Sequence, residues 1–157
     1  MKLNTNRHTG MLLSRASLLY DNSNDKVFIK YNLTSTSWAI LKKIAMNPRQ
    51  STHALAEMCL VTDQSFGQIV AKLAQRGLVE RIPTTGRAIL HEITEKGQSV
   101  LKDIDPQLEE SLTRFFGALT RKEVKALGDL LERLALANGS AIFTQSIRDL
   151  VIGETND

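Results

Sequence analysis

Apolar residues along this chain recur in two rhythms, and the change from one to the other organises it. Between residues 51 and 77 they return every three or four positions, as Leu55, Met58 and Cys59 and then as Phe66, Ile69, Val70 and Leu73. That spacing places each set on one helical face, so two short helices with buried stripes are predicted. Ser51 and Thr62 stand where N-caps are needed, each with a hydroxyl that can accept from an orphan amide, and Gly77 ends the second helix. From Leu78 the rhythm shortens. Residues 78–82 and 88–93 flank Pro83-Thr84-Thr85-Gly86-Arg87, and the second run is rich in β-branched side chains, which predicts a two-stranded ribbon with a tight tip.

The flanks return to helical spacing. Met11, Leu12, Ala16, Leu19 and Tyr20 set the period, and Val27, Phe28 and Tyr31 resume it. The intervening Asp21-Asn22-Ser23-Asn24-Asp25 favours turns, so the pattern admits either one helix or a break near residues 22–24. Thr34 caps a helix running to Met46 that buries Trp38, Leu41 and Ile44 or Ala45, and Asn47-Pro48 stops it. Thr94 caps the next, with Glu95 in its first turn. Pro106 removes a backbone donor, which predicts a kink or a restart capped by Asp105 before Leu108, Leu112, Phe115 and Phe116.

After a turn at Gly117, Thr120 and Glu123 form a capping box for a helix striped by Val124, Leu127, Leu130, Leu131, Leu134 and Ala135 as far as Asn138-Gly139. Ile142, Phe143, Ile147, Leu150 and Val151 predict a last short helix, fraying from Gly153. The expected fold is mainly α with a small β-wing, one domain over residues 1–157 whose winged helix-turn-helix lobe spans 33–97. The end helices carry more apolar surface than that lobe can cover. They predict a symmetric homodimer in which residues 6–31 and 98–152 pack against a second copy.

Opposite the stripe of the second motif helix lie Gln64, Gln68, Ala71 and Gln75, flanked by Ser65, Gly67 and Lys72. Such a face fits the major groove of double-stranded DNA, while a basic ribbon tip reaches the neighbouring backbone or minor groove. Gln64, Ser65 and Gln68 are the candidate readers of base edges, since a glutamine amide donates and accepts at once to adenine. A solvated polar face is the alternative. Lys72, Arg76 and Arg81 are candidate phosphate contacts, or surface ion-pair partners of Glu57 or Glu80. Gly67 admits close approach of the first motif helix or of the DNA backbone, or is simply tolerated.

These segments carry a resemblance. Leu33-Thr34-Ser35-Thr36-Ser37-Trp38-Ala39-Ile40-Leu41, Leu55-Ala56-Glu57, Gly77-Leu78-Val79-Glu80-Arg81, Ile93-Thr94-Glu95-Lys96-Gly97 and Leu119-Thr120 with Glu123, Leu127 and Leu130-Leu131 resemble, in order and spacing, the MarR (multiple antibiotic resistance regulator) winged-helix family. The likeness covers residues 33–137. It implies a dimeric transcriptional regulator, more often a repressor, whose terminal helices make the dimer, and it assigns Arg87 to the minor groove. The family's wing usually carries an acid two residues before that arginine, where this chain has Thr85. Relatives often take small aromatic or phenolic anions between the dimer helices and the winged lobe. Met11, Arg15, Tyr20, Tyr31 and Trp38 would line that cleft here, with Arg15 as the anion's partner; core and dimer packing is the other reading of these residues.

Charge refines the picture. Residues 1–48 carry seven basic against two acidic side chains, residues 49–97 six against five, and residues 98–157 seven against ten, so the acidic final third is expected to stay off DNA. A single cysteine excludes an internal disulfide framework, and Cys59 on an apolar stripe reads as an inert core thiol. Some relatives sense peroxides through a cysteine near the N-terminus, a position not occupied here. His8, His53 and His91 lack metal-ligand spacing, so no metal or other cofactor is expected, and His91 reads as a core-edge histidine with a hydrogen-bond partner. No signal-like h-region and no membrane-length apolar run point to the cytoplasm. Absent nucleophile-elbow, phosphate-loop and zinc-protease motifs argue against an enzyme. The rival from another class is a winged protein-interaction module that has lost operator binding, suggested by Thr85 and by the lack of an arginine before Arg76 in the second motif helix.

Overall fold

Hydroxyl caps start the helices from the second onward. Thr34, Ser51, Thr62, Thr94 and Thr120 each accept, through Oγ, the amide three residues on, at 3.0–3.3 Å. Thr34 with Ser37 and Thr120 with Glu123 complete reciprocal capping boxes. The computed structural model describes residues 4–142, 144 and 145. It runs α1 (Thr5–Lys30), α2 (Ser35–Met46), β1 (Gln50–Ser51), α3 (Thr52–Met58), α4 (Asp63–Gln75), β2 (Val79–Pro83), β3 (Ile89–Ile93), α5 (Glu95–Phe115) and α6 (Arg121–Asn138). Most of the short helix expected from Ile142 to Val151 lies outside the described residues, as does the expected fray from Gly153.

Phe66, Val70, Ile40, Leu41, Ile44, Leu55 and Ile104 are inaccessible to solvent, which makes the α2–α3–α4 cluster and the middle of α5 the centre of the core. Each such side chain contributes about 1.5–3 kcal/mol relative to exposure. The sheet is antiparallel in the order β1-β3-β2, with Arg81 opposite His91 and Gln50 on its other side. β1 was not anticipated, because two residues carry no periodicity.

The structure decides between alternatives at two points. No break occurs near residues 22–24: α1 continues through them. Asn24 is 2% exposed, Ser23 returns its hydroxyl proton to the Tyr20 carbonyl at 2.8 Å, and Ser111 of α5 donates to the Ser23 carbonyl at 3.1 Å. Tertiary contacts therefore hold turn-forming residues in a helix. Likewise α5 does not restart at Pro106. Ile104 and Leu108 bury on either side of the proline while the ring itself faces solvent, and Asp105, instead of capping, pairs with Lys42 of α2 at 2.9 Å.

The outer helix differs from the rest. α6 buries no residue within the chain. Leu127, Leu130, Leu131 and Leu134 face Leu12 and Leu13 of α1 across an open groove of about 990 Å³.

Candidate nucleic-acid interface

α4 is built as a wedge. Phe66, Val70 and Leu73 anchor its inner face, and Gln64, Ser65, Gln68 and Lys72 are exposed on the other. Neither Gln64 nor Gln68 has a side-chain hydrogen bond among the described residues, so both amides keep their full donor and acceptor capacity. Ser65 accepts the Thr62 hydroxyl at 2.9 Å and retains its own proton for donation. A Cβ at Gly67 would meet nothing within 4 Å, so close approach of α3 is not why glycine stands there.

Arg81 on β2 and Arg87 at the ribbon tip are exposed, and no ion pair of either occurs among the described residues. The tip is tied by a residue the sequence reading passed over. Thr84 Oγ1 donates to the Ala88 carbonyl at 2.8 Å and accepts the Gly86 amide at 3.3 Å. Arg76, in contrast, is neither a phosphate arm nor an acid's partner: its guanidinium donates to the Tyr31 and Asn32 carbonyls at 2.6 and 2.8 Å, fastening the end of α4 to the α1–α2 turn.

Sequence reasoning missed other groups on this face. Arg49 is exposed in the loop before β1, in the left-handed region at φ 61°, with its amide on the His91 carbonyl. His53 of α3 lies 3.2 Å from Asp63, the one acid in the first turn of α4, and bridges the two motif helices. The His53–Asp63 pair had no spacing signal, because it forms across the α3–α4 turn, where Leu60 stands at φ 54°.

A second feature lies behind the motif. Tyr20, Asp21, Asn24 and Phe28 of α1, four residues of α2 including Trp38, and Cys59 and Val61 of the α3–α4 turn line an open cleft of about 340 Å³. Of the residues expected in a ligand cleft, the structure brings Tyr20 and Trp38 together here. Tyr31 lies elsewhere, accepting from Gln107 Nε2 at 2.7 Å, while Met11 and Arg15 are exposed farther along α1. Phe28 and Trp38 stack with ring centroids 5.1 Å apart. Burial pushes the Tyr20 phenol up, Asp21 adds to this, and a hydrogen bond from Asn24 opposes it.

Burial also raises the Cys59 thiol, against the charge of Lys43 on α2. Cys59 lies half-buried in the wall of this cleft, not sealed in the core. His91 is 1% exposed, shares a 2.9 Å hydrogen bond between Nε2 and Thr52, and packs edge-on against Phe66. No group of three potential metal ligands occurs among the described residues. No helix among them is long and apolar enough to cross a membrane.

Comparison with known proteins fits this geometry. A family model described as MarR family matches residues 31–88. The chain is 29% identical over 128 residues to the HTH-type transcriptional regulator MhqR of Bacillus subtilis (strain 168), spanning 80% of this chain and 88% of that protein. It is 28% identical over 112 residues to the homoprotocatechuate degradative operon repressor of Escherichia coli, spanning 69% and 76%. A crystal structure of a transcriptional regulator (MarR family) from Rhodococcus sp. RHA1 superposes with a TM-score of 0.80 at 21% identity, covering 88% of this chain and all of that one.

Proposed function

We propose that this chain, whose residues 31–88 match the MarR family model, is a homodimeric repressor of that family that binds a pseudo-palindromic operator and is released by a small aromatic or phenolic ligand. The observation that carries the reading is the outward face of α4, whose glutamines are exposed and unpartnered while its opposite face is locked into the core. Gln64, Ser65 and Gln68 read base edges, Lys72 and Arg81 hold phosphates, and Arg87 enters the minor groove. The lobe at residues 33–97 makes these contacts. Residues 6–31 and 98–152 pair the two copies so that their α4 helices meet half-sites about 34 Å apart. An occupant of the cleft behind α4 touches both α1 and the α3–α4 turn, so it can change that separation and lower operator affinity. The protein acts in the cytoplasm and carries out no catalysis.

Fluorescence anisotropy with duplexes from the promoter region next to its own coding sequence tests this. Binding is expected to be sequence-selective and to weaken steeply with salt, with Gln68→Ala relaxing selectivity at one base pair and Lys72→Ala weakening all duplexes alike. Indifference to every duplex at low salt would overturn it.

A further inference from the structure

The first turn of α4 holds an acid on a surface that is to meet an anion. Asp63 follows the Thr62 cap, is exposed, and is the only acidic side chain of α4. Its attraction to the helix dipole benefits the free protein, but phosphates oppose it once DNA is bound. The carboxylate is also held in place. His53 Nδ1 of α3 lies 3.2 Å from both of its oxygens, and since a carboxylate only accepts, Nδ1 carries the hydrogen. A carboxylate can accept about four hydrogen bonds, and this side chain is 56% exposed, so capacity remains for a donor from outside.

The next turn leaves space beside that carboxylate. Gly67 lies four residues on, along the same side of the helix. Its backbone is outside the left-handed region, and an added Cβ would meet nothing within 4 Å. Neither conformation nor packing within the chain asks for glycine there, and glycine weakens a helix interior relative to alanine. The missing side chain opens room for an atom from outside, next to the exposed Gln64 and Gln68. In the major groove, the donors on offer are the amino groups of cytosine and adenine. Adenine sets its N7 acceptor beside the amino group, which repels a carboxylate. Cytosine itself adds no acceptor on that edge.

We propose that Asp63 is a specificity-determining residue that accepts from the N4 amino group of one cytosine in each operator half-site, that His53 positions its carboxylate, and that Gly67 gives the base edge clearance. The inference rests on the regulator reading and deepens it. Repulsion between Asp63 and the phosphates falls on every duplex alike, whereas the hydrogen bond forms only where cytosine stands. The acid therefore discriminates by penalising the remaining sequences. Residue order hid this, because Asp63 stands beside the arc of Gln64 and Gln68 and its partner comes from another helix.

The full-length protein is used to enrich duplexes from a randomised pool, and the recovered sequence is then altered one base pair at a time in anisotropy titrations. At one pair of each half-site, C·G is expected to bind about tenfold more tightly than any other pair. Asp63→Ala is expected to lose that preference while binding unrelated duplexes more tightly than wild type, a combination that loss of structure does not produce. Asp63→Asn, whose amide both donates and accepts, is expected to take adenine there as well as cytosine. His53→Ala is expected to lower the cytosine preference about threefold, and His53→Gln, which still donates, to restore it. Gly67→Ala is expected to raise Tm slightly and to weaken the enriched duplex about fivefold. Cytosine preference left intact by Asp63→Ala, no cytosine preference at any pair in the wild type, or unchanged affinity in Gly67→Ala would overturn the proposal. A wild type that enriches no duplex refutes the regulator and this inference with it, whereas enrichment with preferences indifferent to Asp63→Ala refutes the cytosine assignment alone.

Discussion

Thr84 and Ala88 close the ribbon tip on itself, hydroxyl to carbonyl at 2.8 Å, across the turn that presents Arg87. A family wing acid would steady the same loop from two residues before the arginine; here a hydroxyl three residues before it does so. Thr84→Val keeps the β-branched shape and removes the bond. It is expected to weaken operator binding about fivefold, the equivalent of roughly 1 kcal/mol of lost order, with little change in Tm. Wild-type affinity in an anisotropy titration would show that tip order is immaterial.

Gly97 lies where α5 begins against the ribbon. A Cβ there would overlap the Leu78 carbonyl oxygen and come within 2.7 Å of Ile93 Cγ1, and the Leu78 carbonyl is already held by the Thr94 amide at 3.1 Å. Backbone on one side and a packed strand on the other leave no room to yield. Gly97→Ala is therefore expected to destabilise by about 3 kcal/mol in urea unfolding. Gly128→Ala on α6, where nothing stands within 4 Å, is expected to be neutral or to stabilise by up to about 1 kcal/mol.

Arg76 separates structure from DNA contact. Losing its bonds to the Tyr31 and Asn32 carbonyls is expected to cost about 1–2 kcal/mol of stability in Arg76→Ala. The slope of operator affinity against salt is expected to stay unchanged, whereas Arg87→Ala reduces it by about one. A lower slope in Arg76→Ala would return it to the phosphates.

His91 makes the fold sensitive to mild acid. Burial first, and the Arg81 charge second, hold its imidazole below the ordinary value of 6.5. The unfolded chain then takes up that proton before the folded one does, so stability is full above about pH 7 and falls as pH drops from there toward the lowered folded value. The decline is at most about 1.4 kcal/mol per pH unit for one proton. His91→Gln, which can still bond Thr52, is expected to lose that component. Tm curves for the two proteins that stay parallel from pH 7 to pH 5 would contradict it.

What could be read from residue order follows from the range of the forces involved. Caps at Thr34, Ser51, Thr62, Thr94 and Thr120 act over three residues, so their hydroxyls announced the helices directly. The stripe of Phe66, Val70 and Leu73 is equally local, and the ribbon followed from a change of period. The points left open, and the role of Arg76, depend on distant partners. Residues 22–24 stay helical because α5 packs over them, and Pro106 sits in an unbroken helix because its neighbours bury and its own side faces water. Arg76 reaches carbonyls 44 and 45 positions away. Of the candidate site, the α4 face was visible as a polar arc, while the Thr84 tie, the His53–Asp63 bridge and the cleft wall shared by Asn24 and Trp38 arise only once the chain is folded.

α6 buries none of its own residues in a single chain, and this makes gene dosage a physical variable. If a second copy covers that leucine-rich side, each molecule completes its shape only by meeting another, and the amount able to grip two half-sites rises with the square of the chain concentration when chains are scarce. Halving expression would then cost more than half the repression, and a copy defective only in α4 would disable intact ones by pairing with them.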